Sequence, residues 1–124
     1  MIAVAERMPM LATAATPDHL PPLAERYAFG EFVVDTRRRT LSRAGAPVTL
    51  TPIEFNMLIA LLRRQGGVVP REVLEREIWS YPTLPASRVV DRHIARLRRK
   101  IEPNADHPLH VVTVPRVGYR FHAT

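Results

Sequence analysis

Cysteine is absent from this chain of 124 residues, which excludes disulfides, thiolate zinc sites and thiol catalysis and fits a reducing compartment. Glycine is scarce. The five present fall at turns, and none belongs to a phosphate-cradling Gly-rich loop or a nucleophile motif. No apolar run approaches the length needed to cross a bilayer. Glu6 and Arg7 interrupt the apolar start before the hydrophobic stretch of a signal peptide could form. The expectation is a cytoplasmic protein with no membrane partner, no metal or other cofactor, and no enzymatic activity. Asp106, His107 and His110 come nearest to a ligand group, but they lie in a Pro-flanked loop with no further ligand pattern.

What the chain does contain is concentrated positive charge. Eighteen Lys and Arg against twelve Asp and Glu give a net +6. Arg88, Arg92, Arg96, Arg98, Arg99 and Lys100, with Asp91 the one acid among them, place most of that charge in residues 87–101. In the same segment Val90, Ile94, Leu97 and Ile101 recur at i, i+4, i+7 and i+11, an apolar stripe for a core. At about 100° per residue, Arg88, Arg92 and Arg99 fall opposite that stripe and Arg96 beside them. Ser87 is placed to cap this helix and Pro103 to stop it. Side chains about 6 Å apart on successive turns suit a major groove. The plain alternative is a solvated basic face. Aromatics that would stack unpaired bases are missing from the helix, which argues against RNA.

The rest of the chain supplies a scaffold. Residues 1–26, with four prolines and no sustained period, read as a tail or linker remnant, and residues 27–124 as the domain. Tyr27–Phe29, Phe32–Asp35, Thr40–Arg43 and Pro47–Thr49 read as short antiparallel strands; the Arg37–Arg39 run between them is a solvated turn or a phosphate contact. In Thr51-Pro52-Ile53-Glu54, Thr51 fits as N-cap, Pro52 as the first helical residue and Glu54 as the partner of a capping box, with Leu50 and Phe55 as a hydrophobic staple. Gly66-Gly67 offer that helix its left-handed ending. Val68-Val69 read as a short extended piece, Arg71–Trp79 as a second amphipathic helix lacking a capping hydroxyl at Pro70, and Ser80–Ala86 as a proline-stiffened loop. Val111–Val114 and Tyr119–His122 form a terminal hairpin around Pro115–Gly118.

Four short strands, three helices and a hairpin, with the third helix basic, describe an α+β winged helix-turn-helix: an N-terminal four-stranded antiparallel sheet, three helices and a C-terminal β-hairpin wing. In that arrangement the second helix crosses the nucleic-acid backbone, the third enters the major groove, and the hairpin reaches the adjacent minor groove.

A run of motifs sharpens this expectation. Leu50-Thr51-Pro52-Ile53-Glu54-Phe55, Val68-Val69-Pro70-Arg71-Glu72, Ile78-Trp79, Val89-Val90-Asp91-Arg92-His93-Ile94, Arg96-Leu97-Arg98-Arg99-Lys100-Ile101, Thr113-Val114 and Val117-Gly118-Tyr119-Arg120-Phe121 follow one another in order. From Tyr27 to Phe121 the chain resembles the DNA-binding effector domain of OmpR/PhoB-type response regulators. The resemblance implies sequence-specific binding of double-stranded DNA and transcriptional control. It also implies tandem head-to-tail dimers on DNA and contact with RNA polymerase through the 80–86 loop; without a receiver, association off DNA is expected to be weak. Carried over by position, Arg88, His93, Arg96 and Arg98 face or flank the DNA, with Arg96 the first choice for a base. His93 has the alternative of a partly buried residue steadying the helix. Arg71 and Trp79 fall near the phosphate backbone, Trp79 with core filling as its alternative. Thr113 matches a wing threonine that holds a phosphate; Gly118 and Tyr119 shape and pack the wing.

Three departures stand out. Pro115-Arg116 replaces the family's Arg-Gly, so the wing arginine is displaced by one residue. Arg92 adds a cation on the groove-facing side where an aliphatic residue is usual, and Ala95 removes one. The leading 26 residues are too few for a receiver, so the chain is either an excised effector domain or a stand-alone regulator. A reading from a different class is a winged-helix interaction module whose basic helix meets an acidic protein, such as part of the transcription machinery.

Overall fold

Alternation in Phe32–Asp35 decides which way the first sheet faces. Phe32 and Val34 are buried while Val33 is exposed, the period of a strand with one wet face. The structure, a computed structural model, describes residues 22–78 and 87–122, with side chains for 22–77 and 90–122. The expectations placed on residues 1–21, on Trp79, on the 80–86 loop and on the Arg88 side chain lie outside the described residues. Strands β1 (Arg26–Phe29), β2 (Phe32–Asp35), β3 (Thr40–Arg43) and β4 (Ala46–Val48) form an antiparallel meander in that order. Its first strand begins one residue earlier than expected, and the chain is already held upstream of it: Thr36 Oγ1 donates to Ala24 O at 2.7 Å and Thr36 N to Glu25 O at 2.9 Å. The Arg37–Arg39 turn folds against its neighbours. Asp35 Oδ1 accepts from the N–H groups of Arg37 and Arg38, and the Arg39 guanidinium donates to Asn56 Oδ1 and lies 4.5 Å from the Phe55 ring centroid.

Helix α1 (Pro52–Arg63) starts as its sequence dictates. Thr51 Oγ1 accepts from Glu54 N at 3.2 Å and Glu54 Oε1 accepts from Thr51 N at 3.0 Å, both halves of a capping box. Phe55, Leu58, Leu61 and Leu62 carry its buried face. Its ending differs from expectation. The left-handed turn begins at Gln65 (φ 50°) and continues at Gly66 (φ 93°), not at Gly66-Gly67. The amides of Arg64 and Gln65 bond back to Leu61 O and Leu62 O, tightening the last turn just before the reversal.

Strand β5 is Val69–Pro70, one residue later than Val68-Val69, and it is more than a connector. It pairs with β7 (Gly118–Phe121), which pairs with β6 (Val111–Val114), making a three-stranded sheet ordered β5-β7-β6 where a two-stranded hairpin was expected. Pro70 is tolerated because β5 is an edge. Helix α2 (Arg71–Ile78) follows directly, and its missing capping hydroxyl is made good by the wing: Arg71 N donates to Val117 O at 3.2 Å. Helix α3 spans Ser87–Ile101 and begins with Ser87 as a helical residue, not as the cap expected of it. Val90, Ile94, Leu97 and Ile101 are at most 1% exposed and pack with α1, Leu74 and the wing strands, as their spacing requires.

Beyond α3 a carboxylate organises the return to the wing. Glu102 is buried and accepts from the backbone N–H groups of Leu109, His110 and Val111 at 2.7–3.1 Å. His110 is buried as well, its ring 5.0 Å from that of Phe29 and 5.7 Å from that of Phe121.

Candidate nucleic-acid interface

Helix α3 is pinned along both flanks, and that sorts its charges. On one flank Lys100 Nζ donates to the buried Glu54 carboxylate of α1 at 2.7 Å. Half-buried His93 lies on the same side. Burial and the charge of Arg96 push its pKa below the ordinary 6.5, Glu54 opposes them, and Arg92 adds a smaller lowering, so the imidazole is held neutral near pH 7. On the other flank Asp91 Oδ1 accepts from Arg71 Nε at 2.9 Å and from Tyr119 Oη at 2.5 Å. One turn or two further on, Arg98 donates through Nε and Nη2 to Val111 O at 3.1 and 2.8 Å, and through Nη2 to Thr113 Oγ1 at 2.8 Å. The guanidinium carbons of Arg71 and Arg98 stand 5.4 and 5.5 Å from the Tyr119 ring centroid.

Between the two pinned flanks runs an exposed ridge: Arg92, Ala95, Arg96 and Arg99. Its three arginines make no hydrogen bond or ion pair with any described residue. Arg98, by contrast, does not stand with them. Its place about 80° from the apolar stripe brings it against β6, where the Val111 carbonyl needs a donor, and the wing takes it. Arg71 is likewise engaged through Nε with Asp91, and that hydrogen bond above all holds its pKa above the ordinary arginine value. Both residues orient other elements before they can meet a ligand.

The wing tip is built by local rules. Val117 N donates to Val114 O at 3.0 Å, Pro115 takes the second position of the turn and Arg116 the third with φ 68°, the geometry of a type II turn with arginine where glycine is usual. Arg116 is therefore exposed at the apex in a left-handed conformation. Gly118 is required by closeness: a Cβ there would stand 2.0 Å from Val69 O. Thr113, exposed on β6, accepts from Arg98, which leaves its hydroxyl proton to be donated outward.

The sequence reading gave Asp91, Glu54 and Lys100 no part in the interface, yet these three set its shape. A signal existed for Asp91, the single acid on an otherwise basic helix. None existed for Glu54 and Lys100, which lie 46 residues apart.

A basic helix docked on two others, beside a hairpin whose tip carries an arginine, defines a winged helix-turn-helix domain. The chain belongs to the family described as transcriptional regulatory protein, C terminal, whose model matches residues 45–121; its type is OmpR/PhoB. It is 37% identical over 97 residues to the DNA-binding response regulator MtrA of Mycolicibacterium smegmatis, an alignment covering 78% of this chain and 42% of that protein. The chain thus spans about two fifths of the length of the curated relatives it matches. Among solved structures, the response regulator DrrB of Thermotoga maritima, an OmpR/PhoB homologue, is similar with a TM-score of 0.73 and 34% identity over 80% of this chain and 45% of that one. The Klebsiella pneumoniae RstA DNA-binding domain, solved in complex with the RstA box, gives 0.70 and 31% over 79% of this chain and 97% of that one.

Proposed function

We propose that this chain binds double-stranded DNA in a sequence-specific manner and thereby regulates transcription. The observation that carries the reading is the ridge of Arg92, Arg96 and Arg99, left exposed on a helix whose every other side is occupied. Helix α3 lies in the major groove with Arg96 reaching a base edge, since an arginine fork matches the O6/N7 pair of guanine. Arg92 and Arg99 lie toward the flanking phosphates, and Arg88 and His93 flank the same groove. Arg116 enters the adjacent minor groove from the wing apex, and Thr113 donates its hydroxyl to a phosphate. Arg71, Arg98 and Trp79 border the backbone, the first two chiefly as supports. Binding takes place in the cytoplasm, as tandem head-to-tail dimers on direct repeats, with the 80–86 loop turned toward RNA polymerase. No helix among the described residues is long and apolar enough to cross a membrane.

Selection of bound sites from a random duplex pool, followed by titration of the winning duplex and a scrambled one at several salt concentrations, tests this. Six to eight phosphate contacts give a slope of log K on log salt of roughly −5 to −7. Arg96→Ala should lose about 1–3 kcal/mol of discrimination at one base pair. Failure to enrich any sequence, or unchanged preference in Arg96→Ala, counts against it.

A further inference from the structure

Asp91 has two partners, and both lead to the strand that leaves the wing apex. Tyr119 stands three residues beyond Arg116, in the strand that leaves the turn, and presents its hydroxyl to Asp91 Oδ1. Arg71 stands elsewhere in sequence, but its own backbone N–H is held by Val117 O, the residue directly after Arg116. Its guanidinium then donates to the same Asp91 oxygen. Two short routes therefore run from one carboxylate on the recognition helix to the arm of the wing that leaves the turn, at Val117 and at Tyr119. Gly118 closes the space between them, its backbone pressed onto Val69 O. Tyr119 is buried beneath, so the junction has little freedom to rock.

A negative charge on this helix otherwise works against binding a polyanion. From the geometry we infer that Asp91 is a positioning residue. It fixes the wing against α3, so that the spacing between the major-groove contact of Arg96 and the minor-groove contact of Arg116 is set before DNA arrives. This rests on the duplex-binding reading above. Its consequence is that the two contacts act together only while Asp91 joins their supports, because a preorganised pair avoids the ordering cost that two independently moving contacts must meet on binding.

The test is a double-mutant cycle on a duplex selected by the wild-type chain, read as dissociation constants at one salt concentration. Arg116→Ala should weaken wild-type binding by about tenfold, the loss of one charged contact. In an Asp91→Ala background the same substitution should cost less than about threefold, since the wing arginine is no longer registered. Asp91→Asn keeps an acceptor for Tyr119 Oη and Arg71 Nε but drops the charge. It should retain most of the coupling while binding selected and scrambled duplexes alike more tightly. Thermal unfolding of each variant is followed so that comparisons are made on folded protein, and Tyr119→Phe, which removes only the hydroxyl, serves if Asp91→Ala does not fold. Additive effects of Asp91→Ala and Arg116→Ala overturn the inference, as does equal coupling loss in Asp91→Asn and Asp91→Ala. If wild type binds no duplex, the functional reading itself fails, which additivity in a binding protein would not imply.

Discussion

Lys100 Nζ lies 2.7 Å from the Glu54 carboxylate, so the last turn of the recognition helix is tied to the capping box that starts α1. One oxygen, Glu54 Oε1, serves both the cap of Thr51 and the ammonium of Lys100. Glu54 is 1% exposed, and a carboxylate so placed is stable only while its partners remain.

Lys100→Met should accordingly destabilise the fold by about 1–3 kcal/mol, less than for a fully buried pair because the lysine stem reaches solvent. Urea denaturation would show a lower midpoint at unchanged slope. A midpoint equal to wild type would mean that the capping box alone satisfies the carboxylate.

Acid should unfold the domain in two stages. His93 has a folded pKa below its ordinary 6.5 because of burial first and Arg96 next, so the stability tied to its neutral form is complete above pH 6.5 and declines as pH falls below it. Glu54 is raised by burial but lowered more by Lys100 and the Thr51 amide, and its net pKa lies below the ordinary 4.5. Its contribution is complete above 4.5 and is lost as pH falls through the lower folded value. His93→Gln should flatten the first decline and Glu54→Gln the second, measured as unfolding free energy against pH.

Leu97→Ala should cost about 2–5 kcal/mol, because a fully buried leucine on the inner face of α3 leaves a cavity. Where the variant remains folded at low temperature, its preference among duplexes should match wild type. A changed preference would mean that the inner stripe shapes the groove contacts directly.

Arg116→Gly should separate stability from binding. The apex needs φ 68°, which glycine adopts without a Cβ penalty, so thermal stability should be unchanged or rise by up to about 1 kcal/mol. Affinity for the selected duplex should nonetheless fall. Gly118→Ala should behave oppositely, costing about 1–3 kcal/mol or more as a Cβ is forced into the Val69 carbonyl, and lowering affinity by parting the wing from β5.

The elements that were legible in the sequence are those whose causes are local. The 3.6-residue recurrence of Val90, Ile94, Leu97 and Ile101 put those side chains inward before any neighbour was known. Thr51, Pro52 and Glu54 announced a helix start through hydrogen bonds spanning three residues. The resemblance over Tyr27–Phe121 then joined these pieces into one architecture and one class of function.

Which arginines remain available is a different kind of fact. Helix periodicity sets Arg98 nearer the apolar stripe than Arg92, Arg96 and Arg99, but it does not say what Arg98 meets there. Arg98 is withdrawn by the Val111 carbonyl, 13 residues away in the chain, and Arg71 by Asp91, 20 residues away. Val69–Pro70 is too short to show a period, and it becomes a strand only because β7 offers it an edge. Sequence by itself determined the helix faces, the capped start of α1 and the family, because these follow from backbone geometry and near neighbours. Tertiary packing alone decided the engagement of Arg98 and Arg71, the wing's third strand and the Asp91 junction, because each depends on which distant donor reaches a given oxygen first.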